Sequence, residues 1–141
     1  MNTNHFSLTV ATDLQALIPV LQWFGQFKDV CKDEGSWLQC EIALVEMFTN
    51  AVRHAHHHLG IETPIEIQVL LNTQFIELQV WDFGEPFNLT DYLKTLPDRI
   101  DTSSESGRGL KIIKEVADSF AYTRHNDRNC FSMIRYFQPH E

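Results

Sequence analysis

Three polar side chains stand one turn apart on a segment with a helical pattern. Glu46, Asn50 and His54 are spaced i, i+4 and i+8, so on a helix they lie on the same face. The amide carbonyl of Asn50 is a hard oxygen ligand suited to Mg²⁺, which shares its coordination sphere with substrate phosphates. The Glu46 carboxylate can orient, or accept a proton from, an attacking hydroxyl or water. A solvated helix face would explain the same column, although Ile42 beside it would be unusual on a fully wet surface.

The stretch VWDFGEPF places an acidic residue at the end of an apolar, strand-like run. A carboxylate at Asp82 can accept a hydrogen bond from an exocyclic amine such as that of adenine. Gly84 would let a flat ring approach the backbone closely, because it has no Cβ. Asp, Gly and Pro86 are also common in ordinary strand-to-loop turns, so this motif alone leaves both interpretations open.

The stretch SESGRGLKII places Gly107 and Gly109 at the predicted start of a helix. Free backbone N–H groups at a helix start, together with the helix dipole, favour an anion. The dinucleotide-binding pattern is incomplete because Ile112 occupies the third glycine position, and the Walker lysine pattern is absent.

Four histidines, His54, His56, His57 and His58, fall within five positions. A zinc site would use an i, i+4 pair such as His54 and His58 together with a further ligand. His56 and His57 are adjacent and point about 100° apart on a helix, so they cannot easily share one ion. We therefore expect the last three to lie at a helix end, where the dipole mildly favours the imidazolium form.

Apolar periodicity predicts the elements that position these residues. A short strand over 5–10 precedes a helix over 11–27, which has Thr12 or Asp13 as its N-cap and is interrupted by Pro19. After a break at Gly35, the longest helical pattern runs from Ser36 to about His57.

The second half of the chain reads as strands around a long loop and one helix. A hairpin over 65–71 and 75–81 is followed by a lid over approximately 83–108, a helix over 109–120, and strands over 121–125 and 130–137. The order β-α-α-β-β-lid-α-β-β predicts one domain over 1–141. Its fold class is α/β (α+β), a two-layer sandwich of a mostly antiparallel sheet with helices on one face.

Composition limits the partners and the cellular location. The net charge is −8 and the isoelectric point is near 5.3, which argues against direct nucleic-acid binding. No apolar run approaches the ~18 residues that a membrane helix needs, and the N-terminus lacks a signal-peptide pattern. Cys31, Cys40 and Cys130 are odd in number and form no CxxC pair, so we expect reduced, partly buried thiols in a cytoplasmic protein.

Three stretches together resemble one family. EMFTNAVRHA, DFGEP and SGRGLKII are similar, in order and spacing, to the N, G1 and G2 boxes of the GHKL ATPases, which include gyrase, heat-shock chaperones, histidine kinases and mismatch-repair proteins. Within that superfamily the chain most resembles the bacterial anti-sigma factor serine/threonine kinases, and the resemblance covers nearly its whole length. It implies the Bergerat ATP-binding fold, with ATP and Mg²⁺ as cofactors.

The N box carries the implied catalytic roles. The resemblance implies that Glu46 is the catalytic base and that Asn50 is the Mg²⁺ ligand. It places Arg53 and His54 near the phosphates or the lid.

The other boxes carry the implied nucleotide contacts. The resemblance implies that Asp82 binds the adenine amine, with Gly84 and Pro86 shaping the base pocket. It matches Ser132, on the last strand, to a hydroxyl that supports adenine through water. The implied phosphate loop and helix start consist of Gly107, Arg108, Gly109 and Leu110.

Members of this family hold a sigma factor away from RNA polymerase and phosphorylate a serine or threonine of a STAS-domain anti-anti-sigma partner. They are often homodimers. The resemblance therefore implies an ATP-dependent protein kinase that acts as an anti-sigma factor. A nucleotide-dependent binding module without useful kinase activity fits the same residues. A histidine-cluster metal protein would leave the glycine motifs unexplained.

Overall fold

The structure, a computed structural model, describes residues 2–31, 33–89, 91 and 105–137, with only the backbone over 105–107. Most of the predicted lid, residues 90 and 92–104, lies outside this set. No helix in the described ranges combines the length and apolarity needed to cross a bilayer. The regular elements are β1 (Asn4–Val10), α1 (Leu17–Gly25), α2 (Glu34–Asn50), β2 (Ile65–Leu71), β3 (Phe75–Asp82), α3 (Glu105–Val116), β4 (Ser119–His125) and β5 (Arg128–Tyr136).

The strands form one antiparallel sheet in the order β1-β2-β3-β5-β4. Along β2 and β3 every second residue is buried, because successive side chains of a strand point to opposite faces. The buried face packs against the helices, and the other face carries half-exposed polar residues such as Gln68 and Gln79. This confirms the predicted α+β two-layer sandwich.

The core lies between this sheet face and α2. Trp37, Leu44 and Phe48 of α2 are fully buried, and the Phe24 ring of α1 stacks on Trp37 with ring centroids 4.2 Å apart. Ile113 of α3 joins the same core. Burial of each such side chain contributes about 1.5–3 kcal/mol, so α2 is held chiefly by its apolar face.

Helices α1 and α2 begin at residues that differ from those predicted from the sequence. Asp13 caps a 3₁₀ turn over Leu14–Ala16, and α1 follows from Leu17, which leaves Pro19 in its first turn. A missing N–H is harmless there, since first-turn N–H groups have no intrahelical partner. The predicted break at Gly35 is wrong, because the Asp33 carboxylate accepts from the Ser36 N–H (3.2 Å) and starts α2 at Glu34.

Helix α3 is displaced toward the N-terminus relative to its predicted range. It begins at Glu105, so Gly107 and Gly109 lie inside it rather than at its mouth. It ends at Val116 instead of residue 120. The Asp118 N–H donates to the Ile134 carbonyl (2.8 Å), which draws the chain directly into the sheet. Tertiary packing has here overridden the poor helix propensity of glycine.

The end of α2 widens into a π-helical turn over Ala51–Ala55, with the His56 N–H donating to the Ala51 carbonyl (2.9 Å). This turn meets the loop that follows β3. A Cβ added to Gly84 would lie 2.7 Å from the Ala55 carbonyl oxygen and 3.0 Å from its Cβ. The space above Gly84 is therefore filled by the helix end, and the absence of a side chain serves this internal contact.

We expect Gly84→Ala to lower the free energy of unfolding by about 1–3 kcal/mol, because backbone must shift to admit the methyl group. Urea unfolding followed by circular dichroism measures this change. Gly25→Ala is the matched control, since a Cβ there meets nothing within 4 Å. That control should keep or slightly raise the stability. Equal stability of the two variants would contradict the close approach at Gly84.

Candidate functional site

A cavity of about 330 Å³ opens between the π-helical turn, the loop after β3, and α3. Its volume lies within the range of about 300–1,000 Å³ that is common for small-molecule sites. Four aromatic side chains, Phe83, Phe87, Tyr122 and Phe131, line it. The sequence-predicted residues that also line it are Asn50, His54, Gly84, Pro86 and Leu110.

A second cavity of about 230 Å³ has a more polar lining and shares Asn50, His54 and Leu110 with the first, so the two adjoin. Glu46, Arg53 and Arg108 also line it. The tertiary structure thus brings the column on α2 together with the start of α3. An aromatic compartment joined to a compartment of charged and amide side chains suits a ligand with a flat ring and an anionic tail.

The Glu46 carboxylate lies directly against α3. A Cβ added to Gly109 would fall 2.6 Å from Glu46 Oε2. Gly109 therefore provides the room in which this carboxylate sits between the two helices. Gly107 lies in the first turn of the helix, and the Arg108 side chain is exposed. Arg53 is exposed as well.

Asp82 is a buried carboxylate, only 1% exposed, with hydrogen-bond donors on both oxygens. Its Oδ1 accepts from the Gly84 N–H (2.8 Å) and from Asn129 Nδ2 (2.9 Å). Its Oδ2 accepts from the Tyr122 hydroxyl (2.7 Å). Burying a carboxylate is costly unless hydrogen-bond donors replace water, and these three groups supply them.

The polar neighbour of Asp82 on β5 is Asn129, and Ser132, which the resemblance matched to a hydroxyl that supports adenine through water, lies elsewhere on this strand. Asn129 pairs with Asp82 in the β3–β5 register, whereas Ser132 pairs with Gln79 on the face away from the core. A shift of three residues along a strand exchanges the faces, because side chains alternate. The buried Phe131, two residues from Asn129, marks the inner face and was the available signal in the sequence.

Asn129 also fixes the loop after β3. Its Nδ2 donates to the carbonyls of Gly84 (3.2 Å) and Glu85 (3.0 Å). Arg124 Nη1 of β4 donates to the same Gly84 carbonyl (2.7 Å). The loop that borders the aromatic cavity is thus tied to β4 and β5, and the sequence patterns did not reveal these ties.

His56 is only 1% exposed, and its contacts differ from those expected of an imidazolium at a helix end. Its Nε2 accepts from the Phe83 N–H (2.8 Å), so Nδ1 carries the proton and donates to Thr12 Oγ1 (2.8 Å). The Thr12 hydroxyl in turn donates to the Thr63 carbonyl (2.6 Å). This network requires the neutral ring. Burial lowers the pKa of His56, and the charge of Asp82 opposes this shift only in part.

The remaining histidines of the cluster border the aromatic cavity. His57 Nδ1 lies 2.9 Å from the His54 carbonyl oxygen, and the rings of His57 and His58 are 3.6 Å apart. In the ranges that the structure describes, no group of three or more His, Cys, Asp or Glu side chains could hold a metal ion.

The three cysteines are free and buried, as expected for reduced structural thiols. Burial raises the pKa of Cys40 and of Cys130 to about 12 each. Neither thiol forms a thiolate near neutral pH, so neither is a nucleophile for this site.

We expect His56 to make the protein less stable as the pH falls below neutrality. Its folded pKa is below the unfolded value of about 6.5, so the unfolded state binds more protons in the window between the two values. The stabilising contribution is complete above that window and is lost as the pH falls through it. Urea unfolding between pH 7.5 and 5 should show a steeper decline for the wild type than for His56→Gln, which cannot titrate.

His57→Gln is the control for this experiment, because His57 is exposed. It should follow the wild-type pH profile. A constant difference between wild type and His56→Gln at all pH values would contradict a buried neutral His56.

Solved structures share this fold. The RsbU and RsbW domains of Rv1364c from Mycobacterium tuberculosis align with a TM-score of 0.67 at 14% identity, over 96% of this chain and 33% of that chain. The SiaB-SiaC complex from Pseudomonas aeruginosa aligns with a TM-score of 0.63 at 10% identity, over 94% of this chain and 89% of that chain. The Acinetobacter baumannii histidine kinase AdeS aligns with a TM-score of 0.52 at 17% identity, over 96% of this chain and 68% of that chain.

At these identities the likeness establishes the fold, and the chain spans only a third of the mycobacterial one. A comparison with curated protein sequences finds no match. The sequence model of the histidine kinase-like ATPase domain matches residues 10–135, from the last residue of β1 almost to the end of β5. The chain therefore belongs to the histidine kinase-like ATPase domain family.

Proposed function

We propose that this protein binds ATP and transfers the γ-phosphoryl group to a serine or threonine of a STAS-domain anti-anti-sigma partner, acting in the cytoplasm as an anti-sigma factor. The observation that carries the proposal is the junction of the two cavities within a histidine kinase-like ATPase domain. The aromatic cavity suits the adenine and the ribose. The adjoining polar cavity suits the phosphates and the acceptor hydroxyl.

In the proposed reaction the acceptor oxygen forms a bond to the γ-phosphorus while the bond to the bridging oxygen of ADP breaks. The Glu46 carboxylate takes the proton of the acceptor hydroxyl. Arg53 and Arg108, on two sides of the polar cavity, would offset the phosphate charge. Positioning and charge compensation supply most of the catalysis in such transfers, because little covalent work falls to the protein.

The residues present suit a magnesium ion that is shared with the nucleotide. Asn50 offers one carbonyl oxygen at the border of the two cavities, and Glu46 lies one turn away. Mg²⁺ commonly takes one or two protein oxygens, and waters and phosphate oxygens complete its octahedron. When bound, the ion would neutralise charge on the phosphates. Asn50 is accordingly our candidate ligand.

A protein partner is supported by the fold relatives and by the surface. SiaB, one of the similar structures, occurs in a complex with SiaC, and another similar structure contains an RsbW domain. In this chain Ile18, Leu38 and Ile42 are 65%, 55% and 50% exposed, which gives the two first helices an apolar outer surface. We assign the partner contacts to a STAS protein, a sigma factor or a second copy of the chain. The net charge of −8 does not favour nucleic acid.

A second candidate function is a nucleotide-dependent binding module without kinase activity. The contact between Glu46 and Gly109 favours it, because a carboxylate that only spaces two helices would need no catalytic role. The two functions share the nucleotide site and differ only in phosphoryl transfer.

We expect calorimetry to show ATP binding in the micromolar range, roughly −8 kcal/mol, in the presence of Mg²⁺. Asp82→Asn should weaken it more than tenfold, because the amide is a poorer acceptor for the base amine and carries no charge. Asp127→Asn, in the exposed β4–β5 turn, is the control and should bind like the wild type. No binding by the wild type would refute the nucleotide site.

We expect Glu46→Gln to bind ATP within about threefold of the wild type and to lose 10²–10⁴-fold, roughly, in phosphoryl transfer to the cognate STAS protein. The substitution keeps the side-chain size beside Gly109 and removes only the base. Transfer is measured with ATP labelled in the γ-phosphate. Glu115→Gln, at an exposed position of α3 outside both cavities, should transfer normally.

Transfer at the wild-type rate by Glu46→Gln would remove this residue from the role of base. A wild-type protein that binds ATP and the STAS partner but transfers no phosphate would establish the second candidate function instead.

A further inference from the structure

Tyr122 lines the aromatic cavity and also a third cavity. That third cavity, of about 590 Å³, is lined by Tyr122 together with Phe120 and Arg124. Tyr122 lines both spaces, and its side chain is half-buried on the edge strand β4. Its ring meets Phe87 and Phe131 edge-on, with centroids 5.6 Å and 5.5 Å away. Tyr122 therefore borders space outside the aromatic cavity as well.

The Tyr122 hydroxyl donates to the carboxylate oxygen that a base amine would need as its acceptor. Asp82 Oδ1 already accepts two hydrogen bonds, from Gly84 and Asn129, which leaves Oδ2 as the oxygen with spare capacity. Tyr122 donates to Oδ2 at 2.7 Å. Asp82 is 1% exposed and does not line the aromatic cavity, so a ligand there cannot reach the carboxylate while Tyr122 stays in place.

Tyr122 remains a donor at every pH at which the protein would work. Burial raises the pKa of its phenol, and the negative charge of Asp82 raises it further. The phenol is thus protonated, and the carboxylate always has an internal partner when no ligand is bound. A ligand gains from Asp82 only if it supplies a donor of its own in place of the hydroxyl.

We propose that Tyr122 is a specificity-determining residue, an internal competitor whose hydroxyl must leave Asp82 Oδ2 before the exocyclic amine of a purine can bind there. This inference rests on the proposed nucleotide function. The competition sets the preference for purines that carry an amine, because an amine-free base leaves the Tyr122–Asp82 bond in place and gains nothing from Asp82, whereas an amine must displace the hydroxyl. It also lowers the affinity for ATP below the value that Asp82 alone would give.

The test compares ATP with purine riboside 5′-triphosphate, which has the same ring and phosphates but no amine. Tyr122→Phe removes the hydroxyl and keeps the ring that packs on Phe87 and Phe131. In calorimetry this variant should bind ATP about tenfold more tightly than the wild type, the value of one hydrogen bond to a charged group. Its affinity for the amine-free nucleotide should stay within about twofold. Tyr136→Phe, at an exposed tyrosine of β5, is the matched control and should change neither affinity.

The outcomes separate this inference from the function on which it rests. If the wild type binds ATP and Tyr122→Phe binds it equally or more weakly, Tyr122 is not a competitor, and the nucleotide site still stands. If Tyr122→Phe binds both nucleotides more tightly by the same factor, the inference is also overturned, because the hydroxyl would then hinder either base and not compete with the amine. Absence of ATP binding by the wild type refutes the nucleotide site and, with it, this inference.

A measurement on the wild-type protein makes the test independent of that variant. With ¹³C-labelled tyrosine, the Cζ resonance of Tyr122 reports the hydrogen bond of its hydroxyl. It should shift when ATP binds and stay in place when the amine-free nucleotide binds. A resonance that responds equally to both nucleotides, or to neither, overturns the inference.

Discussion

The burial of one carboxylate, Asp82, constrains the site more than any other interaction. An ionised group removed from water must be given hydrogen-bond donors, and here they come from three separate segments of the chain. Gly84 supplies a backbone N–H from the following loop, Asn129 an amide from β5, and Tyr122 a hydroxyl from β4. Because all three must converge on two oxygens, the β3–β5 register, the path of the loop and the position of the edge strand are fixed together.

The same loop is fixed from its other side by the end of α2. The π-helical turn presents the Ala55 carbonyl to Gly84 and turns His56 into the core, where its ring accepts from the Phe83 N–H. The neutral imidazole is the only form that can accept there while donating to Thr12. Helix end and loop are therefore two halves of one packed unit, and the aromatic cavity is the space that this unit leaves open.

Gly84 and Gly109, two glycines of the nucleotide motifs, each leave room for a neighbouring residue of the protein. At Gly84 a side chain would strike the backbone of Ala55, and at Gly109 it would strike the Glu46 carboxylate. At Gly84 the missing Cβ lets the loop approach the helix backbone more closely than another residue allows, and at Gly109 it leaves room for the Glu46 carboxylate. The motifs thus specify packing between α2 and its neighbours. That packing determines the shape of the cavities.

The sequence by itself determined the elements, the sheet class and the family. Alternation along β2 and β3 and the apolar stripe of α2 follow from local geometry, and the three motifs stand in a fixed order along the chain. Sequence reasoning also grouped Glu46 and Asn50, because i, i+4 spacing on a helix needs no tertiary information.

Only the tertiary structure decided which polar residues meet across the fold. Asn129 rather than Ser132 faces Asp82 because the strand register selects the face. His56 is buried while His57 is exposed because a π-helical turn rotates the helix end. Tyr122 donates to Asp82, which lies 40 residues earlier in the sequence. Gly109 lies against Glu46, which is also distant in the sequence. Such contacts depend on how whole elements pack against one another, and a one-dimensional pattern does not contain that arrangement.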